Sequence, residues 1–275
     1  MNPIRPLVAL SAGVVFCMLF AAHPPRAGAA AAYEGFDYPV GTPTTNWNGG
    51  NGFAGRWIQE VQGQIAPGSL SDPTNTLATT GNHADGNFMN RQVDRGTTGA
   101  DFWVSYLMRR SANSTGSAAW SGLLVSGGSG QYFIGEPGGG TGDNTLIIGS
   151  GDDFTYVSSG VPFEDGRDYF VVTHIETGPG NDRATLYVNP TPGAQAPTGG
   201  ATYSGSDFIP GLPGFGFQGF GANNVTFSFD ELRVGATYAD VAPVVPEPGA
   251  IGAGAIALSA LALRRRRVMP RRSAR

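Results

Sequence analysis

The sequence predicts an all-β antiparallel sandwich, and three observations carry that prediction. Several segments alternate apolar and polar residues with the two-residue period of a strand. Glycine-rich turns separate those segments, and no amphipathic helix of ten or more residues stands between them. Many short strands with such punctuation pack as two antiparallel sheets.

The alternation is clearest in four places. Residues 101–109 set Val104, Tyr106 and Met108 against Trp103, Ser105 and Leu107. Residues 168–176 set Tyr169, Val171, Thr173 and Ile175 against Phe170, Val172 and His174. Residues 182–189 set Ala184, Leu186 and Val188 against Arg183, Thr185 and Tyr187. Residues 225–234 begin with Val225, Phe227 and Phe229 on one face, then change phase at Asp230-Glu231 to Leu232 and Val234. A phase change of that kind marks a β-bulge. Residues 120–126, 131–135, 144–149 and 154–158 read as further strands, and the stretches 138–143 and 178–182 as turns.

The two ends differ from this middle. Arg5 precedes sixteen uncharged residues, 7–22, and small residues fill 27–32. A basic start, an apolar core and an A-x-A site make a secretory signal peptide, so residues 1–32 are expected to be a removed signal helix. Cleavage before Tyr33 fits Ala30-Ala31-Ala32; cleavage three residues earlier fits Ala27-Gly28-Ala29. Cys17, the only cysteine, falls inside the signal, which leaves the exported domain without a disulfide, a thiolate nucleophile or a cysteine metal site. At the other end Pro246-Glu247-Pro248-Gly249 leads into an uncharged run to Leu263, then Arg264-Arg265-Arg266-Arg267. The fifteen residues 249–263 are short beside the about 20 of a usual spanning helix. The arginines would hold that end in the cytoplasm and the domain outside. The expected division is therefore 1–32 signal, 33–243 β-domain and 244–275 tail.

The β-domain carries twenty acidic residues and eight arginines, and the chain has no lysine. A surface of that sign argues against nucleic acid or anionic membrane as a partner.

The tail resembles the PEP-CTERM sorting signal, in which a Pro-Glu-Pro motif, a short transmembrane helix and an arginine cluster occur in that order. The resemblance implies that Pro246, Glu247, Pro248 and Arg264–Arg267 are read by an exosortase, a membrane-embedded protease of bacteria that make extracellular polysaccharide. Within the domain, Tyr33-Glu34-Gly35-Phe36-Asp37-Tyr38-Pro39, Gly55-Arg56-Trp57, Leu186-Tyr187-Val188-Asn189-Pro190 and Phe229-Asp230-Glu231-Leu232-Arg233-Val234 resemble concanavalin A-like, laminin-G-like sandwiches. That resemblance implies a jelly roll. It also implies a structural calcium ion at Glu34 and Asp230, the positions that match an acid near the first strand and an aspartate in the last.

Catalytic patterns are weak. No E-x-D-x-x-E string places paired carboxylates on one strand, and no G-x-S-x-G elbow occurs. Gly214-Phe215-Gly216-Phe217-Gln218-Gly219 matches G-x-G-x-x-G, but a strand-like run follows it where a dinucleotide site needs a helix. His83, in the polar stretch Gly81-Asn82-His83-Ala84-Asp85, reads as a loop residue and His174 as a strand residue. Trp57 and Trp103 read as core. Trp47, between Asn46 and Asn48, and Trp120 are the candidate platforms for a sugar face. The expectation is a noncatalytic surface or matrix protein in contact with polysaccharide, with a glycan hydrolase or lyase, or a purely structural module, as alternatives.

Overall fold

The computed structural model describes residues 30–44, 46–59, 63–86, 89–94, 98–111, 120–127, 130–137, 144–152, 155–178, 180–205, 214–220 and 225–245. Residues 1–29 and the sorting residues from Pro246 onward, the arginine cluster included, lie outside them. Among the described residues no helix is long and apolar enough to cross a membrane.

The described residues form fifteen strands and one short helix in chain order: β1 (Ala32–Glu34), β2 (Phe53–Gln59), β3 (Gln64–Ala66), β4 (His83–Asp85), β5 (Met89–Val93), β6 (Asp101–Arg110), β7 (Trp120–Gly127) and β8 (Gly130–Glu136). After them come β9 (Thr145–Ser150), β10 (Tyr156–Pro162), β11 (Asp168–Glu176), β12 (Asp182–Val188), β13 (Ala201–Gly205), β14 (Gly214–Phe220), β15 (Phe227–Gly235) and α1 (Tyr238–Val241). An eight-stranded sheet runs β13-β12-β11-β6-β15-β4-β3, with β1 paired to β15. A seven-stranded sheet runs β10-β9-β8-β7-β14-β5-β2. The fold is an all-β antiparallel sandwich of two sheets.

The alternation read from the sequence sorts residues between the interior and the outer faces. Val104, Tyr106, Met108, Tyr169, Val171, Ile175, Ala184 and Leu186 point between the sheets, where they meet Leu123, Val125, Tyr132 and Ile134. The alternate residues Trp103, Leu107, Phe170 and Val172 are buried too, because the eight-stranded sheet is covered on its outer side. Leu70, Leu77 and the α1 residues Tyr238 and Val241 form that cover. Ser105 Oγ donates to Val241 O at 2.7 Å, and Thr237 caps the helix through a capping box with Asp240.

The expected bulge is present. The β15–β6 register shifts between Asp230 and Arg233, and Glu231 adopts a φ of 54°. The extra residue lets Phe227, Phe229, Leu232 and Val234 all enter the interior.

One reading changes. His83 is a strand residue, in β4, because Ala84 fills the interior and the strand pairs with β15. Its ring is buried, with Nδ1 2.5 Å from Gly68 O and Nε2 3.3 Å from Asp85. Ala32, placed at the end of the signal by the 1–32 boundary, is fully buried in β1 opposite Val234.

Candidate functional site

The outer face of the seven-stranded sheet is built by the same alternation. Leu123 and Val125 of β7, Tyr132 and Ile134 of β8, and Phe215 and Phe217 of β14 point inward. Trp120, Leu124, Phe133, Ile147 and Tyr156 are left outside, where they form a separate apolar cluster. Register brings them together: Phe133 is opposite Leu124 on one side and Gly149 on the other, and Gly149 is opposite Tyr156. Gly216 of β14 continues that row beyond Leu124. The Trp120 and Phe133 rings meet edge to face, their centroids 5.8 Å apart.

A depression of about 150 Å³ opens on this face. Its apolar walls include Trp120, Leu124, Phe133 and Tyr156; its polar lining is Gln131, Ser150 and Gln218. Leu124 and Phe133 are buried beneath it, whereas Trp120, Gln131, Tyr156 and Gln218 keep part of their surface open. At one rim the Gln131 amide donates to Asp152 Oδ1 at 3.2 Å, and its carbonyl oxygen has no partner among the described residues. Gln218 makes no side-chain hydrogen bond among the described residues. Half-open aromatic rings beside amides can cover the apolar face of a sugar ring while binding its hydroxyls.

No family model matches the chain. No curated protein matches it either. Solved structures of similar arrangement include domain 4 of an extracellular GH43 arabinanase from Geobacillus stearothermophilus in complex with arabinotriose. It is 16% identical with a TM-score of 0.44, over 78% of this chain and 97% of that one. An alginate lyase is 13% identical with a TM-score of 0.41, over 76% of this chain and 98% of that one. Lectin II from Ulex europaeus is 11% identical with a TM-score of 0.39, over 75% and 99% of the two chains. Likeness of this degree carries no functional argument.

Of the two candidate tryptophans, only Trp120 reaches the depression. Trp47 stacks on Tyr38 at 4.7 Å, and its Nε1 donates to Pro43 O at 2.7 Å, so one face and the indole N–H are both occupied. Trp57 and Trp103 are core residues, as the sequence indicated.

Glu34 and Asp230, the candidate calcium ligands, both have protein partners. Glu34 Oε2 accepts from Arg91 Nη1 at 2.7 Å, Tyr38 Oη at 2.7 Å and Trp57 Nε1 at 2.9 Å, and its Oε1 accepts from Phe36 N at 3.0 Å. Asp230 accepts from the backbone N–H groups of Leu70 at 2.9 Å and Glu231 at 2.8 Å. Burial pushes the Asp230 carboxyl well above its ordinary pKa, and the Glu231 charge adds to that. Among the described residues no group of three or more His, Cys, Asp or Glu side chains is arranged to hold a metal ion.

The residues that sequence reasoning missed are Arg91, Gln131, Phe133, Tyr156 and Gln218. Arg91 had a readable sign, since Met89, Arg91 and Val93 place an arginine on the apolar face of a strand. The rest meet only through strand order, which no local pattern encodes.

Proposed function

We propose that this chain is a noncatalytic carbohydrate-binding module of the cell surface or extracellular matrix, exported by its signal and sorted by its tail. The observation that carries the reading is the depression on the seven-stranded sheet, where half-open aromatic rings face amide side chains. A jelly roll of concanavalin A-like type, processed by an exosortase, is the architecture this reading assumes.

Placement on the surface fits the same picture. The segment leading to the tail is fastened across the eight-stranded sheet: Ala78 N donates to Pro243 O at 2.9 Å and Val245 N to Thr76 O at 3.0 Å. The described chain thus reaches Val245 on the side of the sandwich opposite the depression.

The test is retention of the purified full-length protein on the producing organism's own exopolysaccharide, beside a Trp120→Ala variant. Retention that the variant loses supports the proposal; absence of retention overturns it.

A further inference from the structure

We infer that the depression takes a neutral glycan, one whose sugar units carry hydroxyls but no carboxylate, sulfate or phosphate. This rests on the binding reading above and adds the charge class of the ligand.

Cations decide the matter. Recognition of a uronate or sulfate needs arginine or lysine aimed at the ligand, usually as a bidentate fork. The chain has no lysine. Six of the described arginines are held by carboxylates: Arg91 by Glu34, Arg109 by Asp168, Arg110 by Glu136 and Asp165, Arg167 by Glu164, Arg183 by Glu176 and Arg233 by Glu231. Arg56 is the described arginine without such a partner, and it stands on β2, three strands from β7 across the sheet. Strands lie roughly 4.8 Å apart, so β2 and β7 are separated by about 14 Å. Arg95 lies outside the described residues. Both histidines of the domain belong to the eight-stranded sheet.

The depression's own charge has the wrong sign for an anion. Asp152 sits at its rim, accepting from Gln131 N and Nε2, both at 3.2 Å. The sequence segments that adjoin the lining strands, 112–119, 128–129, 138–143, 153–154, 206–213 and 221–224, contain three aspartates and no arginine. An anionic sugar would lose its hydration beside that carboxylate with no cation to replace it, which disfavours binding. A neutral pyranose or furanose loses nothing comparable. Its C–H face covers Trp120 or Tyr156, and its hydroxyls pair with Gln218 and with the carbonyl oxygen of Gln131.

The experiment uses the full-length chain in a polyoxyethylene detergent, which has no sugar headgroup to compete. Binding is measured by calorimetry against neutral polymers (glucan, mannan, galactan, arabinan) and anionic ones (alginate, polygalacturonate, a sulfated galactan). Each is run at about 0.05 and about 0.5 M salt, since charge-driven binding weakens steeply over that range. Trp120→Ala and Gln218→Ala accompany the wild type, with circular dichroism confirming their fold. The expected result is binding to at least one neutral polymer, changed less than about twofold by salt and weakened about tenfold or more by either substitution. Binding to anionic polymers alone, lost at high salt, overturns the inference and leaves the carbohydrate-binding reading standing. Binding to no polymer of either class overturns both, and neutral binding that ignores both substitutions places the site elsewhere and overturns the inference.

Discussion

Replacing Glu34 by Gln tests the polar knot at the heart of the sandwich. The Glu34 and Arg91 side chains are each 2% exposed, and one carboxylate receives four donors. Gln keeps the volume but removes the charge, and its amide nitrogen turns donors toward Tyr38, Trp57 or Arg91. Arg91 would retain the carbonyls of Gly49 and Gly55 and the nearby rings of Phe53 and Trp57, but no counter-charge. Breaking a buried pair from one side costs about 3–5 kcal/mol. We expect about 4 kcal/mol, which in a domain of this size lowers Tm by about 8–16 °C. Urea unfolding followed by tryptophan fluorescence measures it. The double variant Glu34→Gln with Arg91→Met should regain about 2 kcal/mol, because the stranded charge is gone. A single variant within about 1 kcal/mol of wild type would refute the reasoning, since it would mean that Arg91 finds water or another anion. A chelator arm belongs in the same series. If chelation lowered the wild-type Tm and left Glu34→Gln unchanged, Glu34 would take the calcium role that the resemblance implies.

Three further outcomes follow from the structure. Burial pushes the Glu136 carboxyl up to about 7, against the pull of Arg110. The folded protein therefore binds this proton more tightly than the unfolded chain. Its stabilising effect is full below about pH 4.5 and is lost as pH rises through about 7, a change of up to about 3 kcal/mol. Glu136→Gln should remove that part of the slope between urea midpoints at about pH 5 and about pH 8, and an unchanged slope would sink the assignment. The mature N-terminus should be Ala30 and not Tyr33, because cleavage before Tyr33 strips buried Ala32 from its pairing with Val234. N-terminal sequencing of the exported protein decides between them. Gly52→Ala should destabilise by about 2 kcal/mol or more in thermal melts, since φ is 71° there and a Cβ would lie 2.1 Å from Ala31 O. A neutral substitution would mean that the β1–β2 approach loosens at no cost.

The parts of this fold that were legible are those whose partner is the solvent–interior boundary. Along β6, β11, β12 and β15 every second side chain must choose a side, so the pattern survives in one dimension, even to the slip at Asp230-Glu231. The short strands β1, β3 and β4 are too brief to show a period. Their strand state comes from pairing, as when β4 fits between β15 and β3 in the sheet order. The same distinction governs the site. Trp120 was legible as an aromatic of uncertain exposure. Its setting was not, because β7 lies beside β14, nearly a hundred residues later in the chain, and that adjacency brings Gln218 opposite Gly122. The buried charges were ambiguous for a related reason. A carboxylate near a first strand looks the same in sequence whether a cation or an arginine neutralises it. The deciding residue, Arg91, sits 57 positions away, on a strand that only the folded sheet carries to Glu34. For this chain, then, an acidic residue is informative only after its cation has been found. With six described arginines already held by carboxylates and Arg56 three strands from β7, the depression that the neutral-glycan inference makes the binding surface has no cation among its described lining residues.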